Sequence, residues 1–578
     1  MISLNKNNQQ HFFWEKRIRL VSLVIFLFGL LIIFRLFYLS VYQHSFYEAI
    51  ATNRQAVNEN LLPERGSIYV REDGKLYPLV TNQQYFLVYA EPNKVESAKE
   101  VVDKLTPILN LSEEEWKGLL NRLAKKSDPY EPIMHKVTQN QVDQIKKLDL
   151  TGVGFVGETY RYYPEKNIGG HIFGFVTHSD QEVKGQYGLE GYFNKELSGQ
   201  SGNIKSIKDA LGALITIGPR TVESAQDGDN LVLTIDRKVQ FTACEKLKFF
   251  YDYFEAQDAS VIIMDPKTGA ILAMCSFPDF DPSNYGQVDS INQFNNPAIF
   301  YDFEPGSVFK AFTMSAAIDT GAVSPDTTYD DTGEVKIGPY KIQNSDLKAN
   351  GQQTMTQVLE KSLNTGAIFA ADSIGKNKFV QYVKDFGFGQ PTGITLETEV
   401  PGNISSLNKP GDIYYLTASF GQGVTVTPLQ LVSAFGVIAN QGKLLKPYIV
   451  SDIIKPDGTD IAAKPEVARQ VIKPKTAALV TGMLTSVIKN GVAKKASVPG
   501  YYLAGKTGTA QIASSNGGYG KETNHTFIGF GPVTDPRFVI LVKLGKPQGI
   551  NYAADSVAPI FSQLAAFLLN YYQIPPDY

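Results

Sequence analysis

Residues 304–315 read EPGSVFKAFTMS (Glu304–Ser315). Pro305 and Gly306 break the chain, and VFKAFTMSAAIDTG then carries a mostly apolar helix that stops at Gly321. Ser307 therefore falls at a helix N-terminus, where free backbone N–H groups and the helix dipole favour a developing negative charge. Lys310 follows one turn in, beside Phe309 and Phe312. Residues three apart on a helix share a face, so these two side chains can meet. A lysine desolvated in apolar surroundings loses its proton more readily, as a general base must. The plain alternative is an N-capping serine and a lysine that snorkels to solvent.

Ser-x-x-Lys is a cheap pattern. It starts at Ser3, Ser307, Ser345, Ser373, Ser406 and Ser486. Ser3 lies in the N-terminal tail, and Ser345 in the polar loop NSDLKANGQQ. Ser373 has a glycine inside its tetrad, and Ser406 is followed by Lys409-Pro410, which disfavours helix. Ser486 sits near a helix end, before Asn490-Gly491.

Two further elements separate Ser307 from the others. The first is Ser362-Leu363-Asn364, at a junction after a helix that opens with the Thr354/Gln357 capping box. A hydroxyl and a carboxamide two apart could relay a proton and bind an amide. Ser-x-Asn also occurs at Ser3, Ser290, Ser406 and Ser514, so alone it reads equally as a polar helix end. The second is Lys506-Thr507-Gly508-Thr509, in YYLAGKTGTAQI, which reads as a strand. A cation and two hydroxyls there could hold a carboxylate, and Gly508 would let a ligand backbone approach. Its plain reading is a hairpin turn, and Lys267-Thr268-Gly269 is a decoy of that kind.

Composition narrows the function classes. The chain has 578 residues, 43% hydrophobic and 20% charged, with a net charge of −3, which gives no sign of nucleic-acid binding. Six scattered histidines lack metal-ligand spacing, so neither a metal nor another cofactor is expected. Cys244 and Cys275 read as buried free thiols, with a single bridge between them left open.

Leu20 to Phe34 carries no charge, and Arg35 interrupts an apolar stretch that runs on to Val41. As a helix this segment is roughly 33 Å long, enough to cross a bilayer. Lys16, Arg17 and Arg19 precede it, and no Lys or Arg follows Arg35 before Arg54. The positive-inside rule leaves the N-terminus in the cytoplasm and the remainder outside, in a single-pass arrangement. No small-x-small site suggests cleavage as a signal peptide.

The pattern divides into a tail (1–19), a membrane helix (20–41), a mixed α and β module (42–225) and a C-terminal domain (226–578). In the module, helices are expected over 98–109 and after the capping box at Ser112, a strand over HIFGFV (171–176) and a turn at SGQSG (198–202). In the C-terminal domain, Ala259–Phe277 reads as a β-hairpin turning at Asp265–Gly269. FVILVKL (538–544) reads as a strand, and SVAPIFSQLAAFLLNYY (556–572) as an amphipathic helix. Strands at both ends with helices between imply an α+β domain whose sheet joins distant segments.

SVFK, then SLN 55 residues on, then KTGT 142 residues past Asn364, is the motif order of the penicilloyl-serine transferases. The chain resembles the class B penicillin-binding proteins, which are membrane-anchored, monofunctional peptidoglycan D,D-transpeptidases. The likeness extends through PERGSIYVREDG, GQYGLEGYFNKELSGQSG, MDPKTGAILAMCSFPDFDPSNY, SFGQGVTVTPLQLVSAFGVIANQG and HTFIGFGPVTDPRFVILVKLGKP. Val70 stands where the family usually has Asp, so a salt bridge by that Asp is not expected.

The resemblance implies a single membrane helix, an elongated dimerisation-type pedestal, and a transpeptidase domain with an antiparallel sheet packed by helices. It implies that Ser307 attacks the carbonyl between two D-alanines of a stem peptide and that Lys310 takes its proton. Ser362 would protonate the leaving amine, and Asn364 would bind the donor amide and steady Lys310. Lys506 would supply positive field, Thr507 and Thr509 would meet the terminal carboxylate beside Gly508, and the N–H groups of Ser307 and Thr509 would form the oxyanion hole. β-Lactams would acylate Ser307. SFGQGVTVTPLQ resembles the septal, cell-division branch, whose members pair with a polytopic glycan polymerase and other division proteins; Arg35 would be one place to look for that contact. The rival readings are a D,D-carboxypeptidase or β-lactamase, and a catalytically silent division scaffold.

Overall fold

A computed structural model describes residues 7–43, 56–165, 169–178, 183–207, 221–513 and 518–578. The tetrad at Ser3 and the triplet at Ser514 lie outside them. The chain forms two compact units, one of residues 1–63 and 200–226, the other of residues 64–199 and 227–578.

The first unit holds the helix Asn7–Phe37, which runs on as the π-helical turn Tyr38–Tyr42. Within it Leu20–Val41 has a mean hydropathy of 2.8 and none of it is buried, so this segment is long and apolar enough to cross a membrane. Strands Ala56–Leu61, Gly202–Ile207 and Thr221–Glu223 form an antiparallel sheet in that order.

In the second unit a seven-stranded sheet is built around the 16-residue strand Lys75–Ala90. Helices Ala98–Leu109, Glu113–Leu123 and Gln139–Lys146 cover part of it, burying Val102, Leu105, Leu119, Leu123, Val142 and Ile145 against Val88. The expected helices over 98–109 and after Ser112 are present, the latter with its full capping box. HIFGFV is a correction. Gly170–Phe173 forms one helical turn, and the strand starts only at Phe175. Gly174 (φ 72°) sits between them, and a Cβ there would lie 2.1 Å from the Tyr187 carbonyl. Strand Asn230–Leu233 joins this sheet too, parallel to Ile68–Glu72 and antiparallel to Val450–Ile454.

The C-terminal part of this unit is organised by a second sheet of five antiparallel strands. Their order is Ile271–Phe277, Asp258–Met264, Phe538–Gly545, Tyr519–Gly531 and Ala504–Ala513. The expected hairpin of 259–277 is present, two apolar and nearly fully buried strands, and the strand Phe538–Gly545, buried throughout, pairs with it from far along the chain. Helix Ala553–Tyr571 covers one face through Phe561, which meets Phe527 at 4.5 Å between ring centroids. Helix Pro428–Ala439 is mostly apolar and buried up to Ile438.

The cysteines are a second correction. Cys244, on helix Arg237–Tyr253, and Cys275, on strand Ile271–Phe277, form a disulfide with their Cα atoms 5.5 Å apart. Packing of the helix on the strand sets this distance, and sequence periodicity carries no trace of it.

Candidate active site

Ser307 lies in the 3₁₀ turn Gly306–Phe309, which leads directly into helix Lys310–Asp319. Every residue of that helix is buried, Lys310 included at 1% exposure, while Ser307 is half-buried. Gly306 adopts φ 57°, a left-handed turn that L side chains resist. The turn is gripped from two sides. The Gly306 N–H donates to the Gly421 carbonyl at 3.1 Å, and a Cβ on Gly421 would lie 2.2 Å from the Gly306 oxygen. The Gly423 N–H donates to Glu304 Oε1 at 2.9 Å, and the Tyr519 hydroxyl donates to the same oxygen at 3.3 Å. Burial pushes the Glu304 carboxyl up, against these two bonds.

Ser362 and Asn364 come to this turn from a corner between two helices, Met355–Lys361 and Asn364–Ile374. The Thr354/Gln357 capping box forms as the sequence requires. Ser362 closes the first helix in the left-handed conformation (φ 59°). Lys310 Nζ meets the corner three times: the Ser362 carbonyl at 2.5 Å, Asn364 Oδ1 at 2.8 Å and Ser362 Oγ at 3.3 Å. Asn364 Nδ2 donates to the Gln343 carbonyl at 2.9 Å, which sets the direction of its Oδ1.

Lys506, Thr507, Gly508 and Thr509 lie on Ala504–Ala513, the edge strand of the five-stranded sheet. Lys506 is fully buried, and its Nζ donates to Ser362 Oγ at 3.0 Å and to the Thr507 carbonyl at 3.2 Å. The Ser362 hydroxyl is thus shared between two lysines. A Cβ on Gly508 would meet the Pro305 oxygen at 2.7 Å and Val308 Cγ2 at 2.9 Å. The room this glycine leaves is taken by the Ser307 turn. Thr507 is 7% exposed and Thr509 half-buried; Thr509 Oγ1 accepts the Ala553 N–H at 3.1 Å and keeps its own proton to donate.

Electrostatics follow from burial. Desolvation, and then the Lys506 charge, drive Lys310 well below the usual lysine range. Desolvation pushes Lys506 down to about 7. Opposite Thr509, His525 is buried between Ser556 Oγ (2.7 Å) and Thr523 Oγ1 (3.0 Å), and burial lowers it to about 4.

The serines of three other tetrads are engaged elsewhere. Ser373 and Ser406 donate to the Phe369 and Gly423 carbonyls, and Ser486 donates to Glu360. Ser406 lies in a 3₁₀ turn, Ser405–Asn408, that ends before the proline. The decoy Lys267 pairs with Asp535 in the hairpin turn. Sequence reading missed Glu304 and Gly421, which brace the serine turn, and Asp331 and Asn344, described below. No periodicity or motif spacing marks them.

The serine turn, two desolvated lysines and an Asn-bearing corner meet beside a sheet edge. Residues 259–566 match the model of the penicillin-binding protein transpeptidase domain, and residues 60–233 match that of the penicillin-binding protein dimerisation domain. The chain belongs to the class B penicillin-binding proteins. By family it is a peptidoglycan D,D-transpeptidase. It is 33% identical to stage V sporulation protein D of Bacillus subtilis, over 94% of this chain and 84% of that protein. It is 29% identical to the peptidoglycan D,D-transpeptidase FtsI homolog of Mesostigma viride, over 99% and 98%. The crystal structure of penicillin-binding protein 2X from Streptococcus thermophilus shares its fold, with a TM-score of 0.76 at 23% identity, covering 89% of this chain and 80% of that one.

Proposed function

We propose that this penicillin-binding protein works through a serine acyl-enzyme on Ser307. A neutral Lys310 has two N–H bonds. The Ser362 carbonyl and Asn364 Oδ1 are placed to take them, which leaves the nitrogen lone pair for a hydroxyl proton. Ser307 Oγ attacks the carbonyl between two D-alanines, and its proton goes to Lys310. The C–N bond breaks, the terminal D-alanine leaves, and its amine takes a proton through Ser362. The acyl group then passes to an amine of a neighbouring stem peptide, whose proton returns to the site and frees Ser307.

The observation that carries this reading is the Ser362 hydroxyl, 3.3 Å from Lys310 Nζ and 3.0 Å from Lys506 Nζ. It joins the base to the cation that, with Thr507 and Thr509, receives the terminal carboxylate. Asn364 binds the donor amide, and the N–H groups of Ser307 and Thr509 form the oxyanion site. The edge strand leaves one side of its backbone for an extended peptide to pair with. β-Lactams form the same ester with Ser307.

The N-terminus lies in the cytoplasm and the catalytic unit outside the cytoplasmic membrane, by the charge bias around Leu20–Val41. The setting is the division septum, with a polytopic glycan polymerase as partner. The sporulation relative favours a second setting, the same chemistry during spore formation. Intact-mass measurement after penicillin, with the adduct mapped, tests the chemistry. One penicilloyl group on Ser307 is expected, absent in Ser307→Ala; an adduct elsewhere, or prompt release by water, overturns the reading.

A further inference from the structure

Behind the Ser362–Asn364 corner lies a buried anion that the reaction described above does not use. Asp331 ends the strand Thr328–Asp331 and is 1% exposed. A bare carboxylate there would be costly. Neutral donors solvate it instead. Oδ1 accepts from Thr365 Oγ1 (2.8 Å), Asn344 Nδ2 (2.9 Å) and the Gly333 N–H (3.0 Å). Oδ2 accepts from Asn350 Nδ2 (2.7 Å), Asn344 Nδ2 (3.0 Å) and the Asn350 N–H (3.1 Å). Burial by itself would raise this carboxyl, but the bonds from Asn350, Thr365, Gly333 and Asn344 outweigh it and hold it below the usual range. The group therefore stays an anion.

The anion fixes one amide. With Nδ2 committed to Asp331, Asn344 must turn its Oδ1 the other way, toward the start of the helix Asn364–Ile374. There it accepts the Asn364 N–H at 2.9 Å and the Thr365 N–H at 3.2 Å, while the single Thr365 hydroxyl proton goes to Asp331. The residue in the N-cap position of this helix is Leu363, which has no side chain to do this. Asn344 caps the helix from twenty residues upstream. A buried negative charge behind a helix N-terminus also complements its dipole.

We propose that Asp331 and Asn344 are positioning residues of the reaction: the carboxylate fixes the Asn344 amide, the amide fixes the first turn of the Asn364 helix, and that turn holds Asn364 Oδ1 and the Ser362 carbonyl on Lys310. The inference rests on the reading of Lys310 as the base. Among the described residues, the charged group facing Lys310 is Lys506, from the edge strand; Asp331 faces the Tyr329 hydroxyl through Thr365.

The sign of the effect follows. Asn364 Oδ1 and the Ser362 carbonyl accept hydrogen bonds and so favour the ammonium form of Lys310. If the corner loosens, the ammonium loses acceptors and Lys310 gives up its proton at lower pH. The misplaced base is also a slower one. The test uses the full chain in detergent and the second-order rate of labelling by a fluorescent penicillin as a function of pH. For Asp331→Asn and Asn344→Ala the plateau is expected to fall by roughly tenfold to a hundredfold. The acid limb is expected to move to lower pH, and the double variant to be no worse than the poorer single one. Thr365→Val, which keeps the side-chain volume and removes one hydroxyl, is expected to move both readouts the same way by less. It serves if the others do not fold. A wild-type rate and an unmoved acid limb in folded variants, with or without a lower melting temperature, overturn the proposal while leaving the acyl-enzyme reading intact. A wild-type chain that takes no label overturns both.

Discussion

Two lysines share one crevice, and burial is what separates them from ordinary lysines. Burial pushes Lys506 down to about 7, so on the alkaline side it is expected to lose the charge that could attract a carboxylate. The labelling rate is expected to decline above about pH 7. Lys506→Arg keeps its charge at high pH and is expected to lose that decline, at a lower maximum, because a planar guanidinium fits poorly against Ser362 Oγ. An alkaline limb unchanged in Lys506→Arg would assign it to another group. The same lysine has a stability signature. Its folded value lies below the unfolded one of about 10.4, so the unfolded chain binds more protons between the two. Its contribution to stability therefore rises with pH from about 7 to about 10.4, and the full penalty is felt below 7. Lys506→Met is expected to raise unfolding free energy at neutral pH by roughly 1–3 kcal/mol while abolishing labelling, read by denaturant melts. The nearness of Ser307 and Lys310 could be read from the sequence because it is local: they stand three residues apart, one in the 3₁₀ turn and the other at the start of the helix that continues it. The relation of Lys310 to Lys506 could not, because burial depends on what packs around each.

At the scale of elements, the site depends on close backbone approach. Gly421 is in the left-handed region (φ 80°), and a Cβ there would strike the Gly306 carbonyl. Gly421→Ala is expected to shift the serine turn and cut the labelling rate by roughly a hundredfold. A near-normal rate would show that the turn is held from elsewhere. The Cys244–Cys275 bridge ties a helix to the first strand of the sheet across 31 residues. Reduction is expected to lower stability by about 3 kcal/mol, measured as the shift in denaturation midpoint with and without reductant. Most elements around the site were legible: the 259–277 hairpin, the Thr354 capping box and the helix behind Ser307 all announce themselves through period and punctuation. The left-handed Ser362 was not, since a serine at a helix end is compatible with several backbone states, and packing against Lys310 and Lys506 selects one.

At the scale of the whole molecule, segments far apart in sequence meet in buried polar clusters as well as in apolar cores. Glu190, fully buried, accepts Arg65 Nε at 2.7 Å and Arg161 Nε at 2.6 Å. Desolvation lowers Arg65 despite Glu190 beside it. Glu190→Gln leaves two guanidinium groups without their anion and is expected to cost about 3–5 kcal/mol in unfolding free energy, far more than any exposed pair here. A loss under about 1 kcal/mol would mean that water reaches the cluster. Val70, in place of the family's usual Asp, is buried in strand Ile68–Glu72 and makes no such pair. By itself the sequence determined what depends on short-range order: the apolar span at Leu20–Val41, the α+β pattern, the helical turn at Ser307 after the Pro305-Gly306 break, and three motifs whose order names the family. Tertiary structure alone decided which hydroxyl the two lysines share, which glycine makes room for the serine turn, that the cysteines pair, and that Asp331 rather than Asp330 is buried behind the site. Periodicity and turn chemistry are written in neighbouring residues, whereas desolvation and hydrogen-bond partnership are set by groups that only the folded chain brings within a few ångströms.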